Sequence, residues 1–160
     1  MGNLLESYAY LGTRNASTAV NRLQSALGED SERAKILVVD DEIEVVTALK
    51  IRLQFAGYEV ISAFDGVSAT RAVLITQPDL VILDIGMPMG DGHEVARRLT
   101  DHLDALLVPV IFLTARTSQA DRALAKKVGA ADYITKPYDS KKLLEAVNKA
   151  FSWKPPRKRI

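Results

Sequence analysis

Two short apolar runs in this 160-residue chain end in carboxylates: Ile36 to Val39 runs into Asp40 and Asp41, and Leu80 to Leu83 runs into Asp84. A third run from Pro109 ends in Thr114, and a shorter one, Ala131 to Ile134, leads to Lys136 and Pro137. If the fold gathers these ends, three carboxylates, a hydroxyl and an ammonium share one small pocket. Crowded carboxylates raise one another's pKa and add a desolvation cost. A hard divalent cation on oxygen ligands relieves that conflict. Mg2+, with Mn2+ as the alternative, fits because it keeps waters that phosphate oxygens can replace. Asp84 is then placed to accept a phosphoryl group, with the Lys136 ammonium and the Thr114 hydroxyl on its oxygens. For Asp41 taken alone, a turn or a helix cap is an equally good account.

Positioning these groups requires an alternation of strands and helices, and the pattern supplies one. The segments 36–40, 80–84 and 109–114 are short, apolar and rich in β-branched residues, as buried parallel strands are. Residues 58–63 and 131–134 complete a set of five. Between them apolar residues recur three and four apart: Val45, Ala48, Leu49 and Leu53; Ala69, Ala72 and Val73; Val95, Ala96 and Leu99; Ala120, Ala123, Leu124 and Val128; Leu143, Leu144, Val147 and Phe151. Gly57 and Gly129 sit where helices would end. The reading is α/β: a doubly wound five-stranded parallel sheet covered on both faces. Ligands in such sheets bind at the carboxyl ends of the strands, where the polar residues lie.

Composition narrows the chemistry. Cysteine is absent, and two histidines, His93 and His102, are too few for a histidine-built zinc site, so any metal sits on oxygen. With 48% hydrophobic residues the chain can bury one core. The domain is expected over 35–151, with an N-terminal extension, 1–34, carrying a short helix from about Ser17 with Ala19, Val20, Leu23 and Leu27 on one side. That stripe needs a partner, either its own domain or a second copy in a homodimer. A basic tail, 152–160, holds Lys154, Arg157, Lys158 and Arg159; without these four, the formal charge falls from +1 to -3. Four charges without a recognition helix argue against nucleic acid as a main partner. No apolar run is long enough for membrane insertion, and the start lacks a signal-peptide pattern, so a cytoplasmic location is expected.

The segments ILVVDDE at 36–42, VILDIGMPMGDG at 81–92, VIFLTA at 110–115 and DYITKPY at 132–138 resemble the response-regulator receiver domains of two-component signalling. The resemblance implies the CheY-like, flavodoxin-like (βα)5 fold. It also implies Mg2+ on Asp40 and Asp41, completed by Asp84 and the backbone carbonyl of Gly86. By the same resemblance Asp84 is the phosphoacceptor, Lys136 and Thr114 bind the phosphoryl group, and Thr114 and Tyr133 form the switch. The partners implied are a histidine kinase or phosphotransfer protein and a downstream protein target, reached through the fourth helix, fifth strand and fifth helix. Not a conventional enzyme, such a protein promotes its own phosphorylation and the hydrolysis of its acyl phosphate. Gly86 and Arg116 occupy positions that shape water access to the phosphoryl group. Three other readings compete with this one. A module that signals by docking alone fits poorly with intact Asp41, Asp84 and Lys136. A flavin protein of similar fold would need a phosphate loop, which Asp40-Asp41-Glu42 is not. The third is a regulator touching DNA weakly through its tail.

Overall fold

A computed structural model describes residues 33–87, 101 and 108–152. Among them the chain alternates β1 (Lys35–Val39), α1 (Ile43–Phe55), β2 (Glu59–Ala63), α2 (Gly66–Thr76), β3 (Leu80–Leu83), β4 (Val110–Thr114), α3 (Gln119–Lys127), β5 (Asp132–Thr135) and α4 (Ser140–Phe151). The expected helix around Val95, Ala96 and Leu99, with His93 and His102, lies outside the described residues, as do the extension up to residue 32 and the tail from 153.

The five strands form one parallel sheet in the order β2-β1-β3-β4-β5. This is the flavodoxin-like arrangement expected from the alternation. Successive residues of the central strands point to opposite faces, and both faces are covered. Leu37, Val39, Val81, Leu83 and Phe112 pack with Ala69 and Val73 of α2 and Ala125 of α3. Ile36, Val38, Ile82, Ile111 and Leu113 pack with Val46, Leu49 and Leu53 of α1 and Leu143 and Val147 of α4. That double burial explains why β1, β3 and β4 read as unbroken apolar runs.

Local signals set the helix ends. Asp65 caps α2 by accepting from the amides of Val67 and Ser68 at 2.9 and 2.8 Å, and Ser68 returns a contact to the Asp65 amide, a reciprocal capping box. Asp139 caps α4 by accepting from the amides of Lys141 and Lys142 at 2.8 and 2.9 Å. Gly57 (φ 100°) and Gly129 (φ 74°) close α1 and α3 in the left-handed conformation, with Tyr58 and Ala130 amides reaching back to the carbonyls of Leu53 and Ala125. Two helix faces differ from expectation. Ala48 of α1 is exposed and Val46 takes its place in the core; in α3, Ala120 and Ala123 are exposed while Asp121 and Ala125 are buried. Alanine contributes little apolar area either way, and Asp121 is drawn inward by the Ser118 cap, whose hydroxyl it accepts.

Candidate functional site

Asp40 and Asp84 follow the ends of β1 and β3, neighbouring strands on either side of the point where strand order reverses. The Asp84 amide bonds the Val39 carbonyl at 2.9 Å, so the two strand ends are locked in register. Asp40 and Asp84 are buried at 2% and 6% exposure, and Asp41 beside them is exposed. One carboxylate oxygen from each of Asp40, Asp41 and Asp84 lies within 4.8 Å of the other two.

Lys136 enters from the far side. Thr114 and Thr135 are register partners on β4 and β5, and the Lys136 amide then bonds the Thr114 carbonyl at 2.8 Å. Its ammonium reaches Asp40 Oδ2 at 2.7 Å, Glu42 Oε1 at 3.0 Å and Asp84 Oδ2 at 3.2 Å. An ammonium has three donors, and all three are engaged. The remaining oxygens are also held: Asp40 Oδ1 accepts from the Glu42 amide at 2.9 Å and Asp84 Oδ1 from the Gly86 amide at 2.7 Å. The Lys136–Pro137 peptide bond is cis.

Burial works against the Lys136 ammonium, but its bonds to Asp40 and Glu42 and the charge of Asp84 outweigh it, and its pKa lies above the ordinary lysine value. Asp40 is pushed above the ordinary carboxylate range by burial, which exceeds the help from Lys136 and the Glu42 amide. One ammonium thus offsets the three-carboxylate cluster incompletely, and a divalent cation on the same oxygens would supply the missing charge. The donor set is all oxygen, as Mg2+ prefers.

Gly86 is exposed beside the acceptor. A Cβ built there would stand 3.1 Å from Asp84 Oδ1, a tight approach, so the missing side chain keeps that face of the carboxylate open. Thr114 is fully buried, and its hydroxyl accepts from the Arg116 amide at 3.2 Å. Tyr133 is half-buried on β5 against Phe112, and its hydroxyl donates to the Arg116 carbonyl at 2.8 Å.

Two participants are not announced by the sequence. Glu42 is visible in the DDE motif, but its bond to Lys136 spans 94 positions and no spacing rule announces it. Arg122 places its guanidinium 5.0 Å from the centre of the Tyr133 ring; Arg122 on a helix following Tyr133's neighbouring strand carries no recognisable sequence signal.

A family model described as the response regulator receiver domain matches residues 36–148. The chain is 41% identical over 109 residues to the alkaline phosphatase synthesis transcriptional regulatory protein PhoP of Bacillus subtilis (strain 168), a match covering 68% of this chain and 45% of that protein. It is 43% identical over 111 residues to the probable transcriptional regulator ycf27 of Cyanophora paradoxa, covering 69% and 45%. The match therefore spans less than half the length of these curated relatives. Among solved structures, the non-phosphorylated HemR receiver domain of Leptospira biflexa superposes with a TM-score of 0.70 at 30% identity, covering 78% of this chain and 99% of that one. Chemotaxis protein CheY4 of Vibrio cholerae gives 0.68 at 32% identity, covering 74% and 98%.

Proposed function

Because the chain belongs to the response-regulator receiver family, we propose that it takes a phosphoryl group on Asp84 from a phosphohistidine of a partner kinase or phosphotransfer protein and passes the change to a downstream protein. The observation that carries this reading is the convergence of Asp40, Asp41, Asp84 and Lys136 at the carboxyl ends of β1, β3 and β5.

In the proposed reaction an Asp84 oxygen attacks phosphorus, the P–N bond to the donor imidazole breaks, and the imidazole departs with the electron pair. Asp84 Oδ1 is held by the Gly86 amide and Oδ2 by Lys136, so the nucleophile is fixed before the donor arrives. Asp40, Asp41, Asp84 and the Gly86 carbonyl would hold Mg2+, or Mn2+ in its place, whose chemistry is to neutralise charge on the phosphoryl oxygens. Lys136 then shifts a donor from the carboxylates to a phosphoryl oxygen, and the Thr114 hydroxyl turns toward another. Water returns the carboxylate by hydrolysing the acyl phosphate.

The output passes from Thr114 through Arg116 to Tyr133, on the surface made by α3, β5 and α4. No helix among the described residues is long and apolar enough to cross a membrane. The transcriptional role in the names of the two curated relatives belongs to proteins this match only half covers, and we carry over the receiver step alone. The extension 1–34 and the tail 152–160 flank the receiver unit, 35–151, in this reading.

Incubation with a small phosphodonor and Mg2+ should add about 80 Da, the mass of one phosphoryl group, to the wild-type chain and nothing to D84N. Equal labelling of D84N would end the assignment.

A further inference from the structure

We propose that the surface made by α3, β5 and α4, the output face of the preceding reading, binds an acidic segment of a protein partner, one carboxylate of which draws Arg122 off the ring of Tyr133. Exposed charge is unevenly shared between the two edges of the sheet. From residue 43 to 79, Lys50, Arg52 and Arg71 are matched by Glu44, Glu59 and Asp79. From 116 to 151, seven exposed bases stand against two exposed acids, Asp139 and Glu145. Asp139 is engaged in the α4 cap, and the half-buried Asp132 accepts from the Tyr133 amide. A cationic excess of this size along one edge attracts an anionic partner.

The cations are ordered around Tyr133. Arg122 holds its guanidinium 5.0 Å from the centre of the ring, which packs on Phe112 at a centroid distance of 6.2 Å while the hydroxyl donates to the Arg116 carbonyl. Lys126 follows one turn along the same row of α3. On α4 the side carrying Asn148 and Phe151 is turned to Tyr58, through a hydrogen bond and a stacked ring. Lys142 and Lys149, at i and i+7, lie across the buried row of Leu143 and Val147 from that side and so border β5. None of these four cations makes a salt bridge among the described residues.

Charge of this kind suits three occupants in general, and the arrangement favours one. A second copy would bring the same surface in a two-fold pair, setting bases against bases. A nucleic acid is charged at every residue, and Glu145, exposed between Lys142 and Lys149, would repel it in any register. A protein segment can space its carboxylates and leave an uncharged or basic residue opposite Glu145. It can also fill what Arg122 vacates. A guanidinium takes a carboxylate through two parallel hydrogen bonds, whereas its hold on an exposed ring is weak, so an arriving carboxylate captures Arg122 and an apolar neighbour covers the ring. Docking and the position of Tyr133 are thereby linked, each biasing the other.

Nuclear magnetic resonance titration of the full-length chain tests this with three probes: a synthetic peptide of repeated Glu-Ala-Leu, its Gln-Ala-Leu counterpart, and an oligothymidine of equal charge. The Glu peptide should shift the signals of Arg122, Lys126, Tyr133, Lys142 and Lys149, leave Lys50, Arg52 and Arg71 in place, and lose its effect near 1 M salt, where the screening length is about 3 Å. The Gln peptide should shift none of them. K126Q/K142Q/K149Q should bind the Glu peptide about tenfold more weakly, each exposed pair contributing about twofold, and R122Q should abolish the response of the Tyr133 ring. Shifts spread equally over Lys50, Arg52 and Arg71, an equal response to the Gln peptide, or tighter binding of oligothymidine to the same residues would overturn the proposal. So would self-association that K126Q/K142Q/K149Q abolishes, which would give the face to a second copy. Labelling of Asp84 on the same samples reports the phosphoacceptor reading separately: label without Glu-peptide binding sinks this proposal alone, and binding without label sinks that reading and supports the acidic partner.

Discussion

Tyr133 donates its hydroxyl hydrogen to the carbonyl of Arg116, and the amide of the same Arg116 donates to the Thr114 hydroxyl oxygen. A single residue thus joins the proposed switch hydroxyl to the proposed switch aromatic. Rotation of Thr114 toward a phosphoryl group removes the acceptor of the Arg116 amide and disturbs the carbonyl on which Tyr133 rests. In Y133F, phosphorylation of Asp84 should proceed at close to the wild-type rate, with stability lowered by about 1 kcal/mol for the lost bond. Backbone amide shifts on phosphorylation should still reach Thr114 and Arg116 but fade along β5. A β5 response identical to wild type would break the proposed connection.

Lys136 is the counter-charge of a cluster that also suits a cation. Lys136→Ala removes a positive charge from within hydrogen-bonding distance of Asp40 and Asp84. Mg2+ should then bind tighter, by about tenfold or 1.4 kcal/mol, while phosphorylation from a small donor slows by about a hundredfold through loss of transition-state stabilisation. Calorimetric titration and mass-resolved labelling on the same samples separate the two effects. Weaker Mg2+ binding would show that Lys136 organises the carboxylates more than it opposes the metal.

Asp41 contributes a carboxylate to the cluster while standing exposed. Saturating Mg2+ should stabilise the wild-type fold by about 2.7 kcal/mol at a hundred times the dissociation constant. D41A should lose most of that increment yet match wild type in chelator. The comparison needs only thermal or denaturant melts, and an undiminished Mg2+ increment in D41A would remove Asp41 from the ligand set.

Two aspartates should respond to pH with opposite sign. Asp65 lies below the ordinary carboxylate range because the amide and hydroxyl of Ser68 and the amide of Val67 favour its charged form. Its capping contribution is present above the unfolded pKa and lost as pH falls through the folded one. D65A should cost about 1 kcal/mol near neutrality, with the deficit shrinking in acid. Asp40, raised by burial, contributes stability below its unfolded pKa that is lost as pH rises through the folded value. In metal-free protein the stability of wild type relative to D40N should therefore improve as pH is lowered from 7 toward 4. Parallel pH profiles for the two mutants would contradict the assignment of these shifts.

Sequence alone was informative wherever a signal is local or periodic. The strands end within a residue or two of where their apolar runs end, because β1, β3 and β4 are buried on both faces and tolerate no polar interior. Asp40, Asp84, Thr114 and Lys136 could be placed at one edge because each follows such a run. What escaped depends on contacts between distant segments. Nothing near Glu42 says that Lys136 will reach it, and Arg122 meets Tyr133 only because α3 packs beside β5. The weak apolarity of alanine misled the α3 face, where Ser118 and Asp121 set the rotation of the first turn.

The sheet divides the site mechanically. Asp40 and Asp84 end strands that are each hydrogen-bonded on both sides, whereas Tyr133 and Lys136 belong to β5 and the residue beyond it, and among the described residues β5 has β4 as its single neighbour. Displacing an edge strand breaks one ladder, and displacing a central strand breaks two. Local opening of β5 consequently costs less than local opening of β1 or β3. Amide hydrogens of Tyr133 to Thr135 should exchange with solvent well before those of Leu37 or Ile82. The anvil that takes the blow is stiff, and the lever that reports it is compliant.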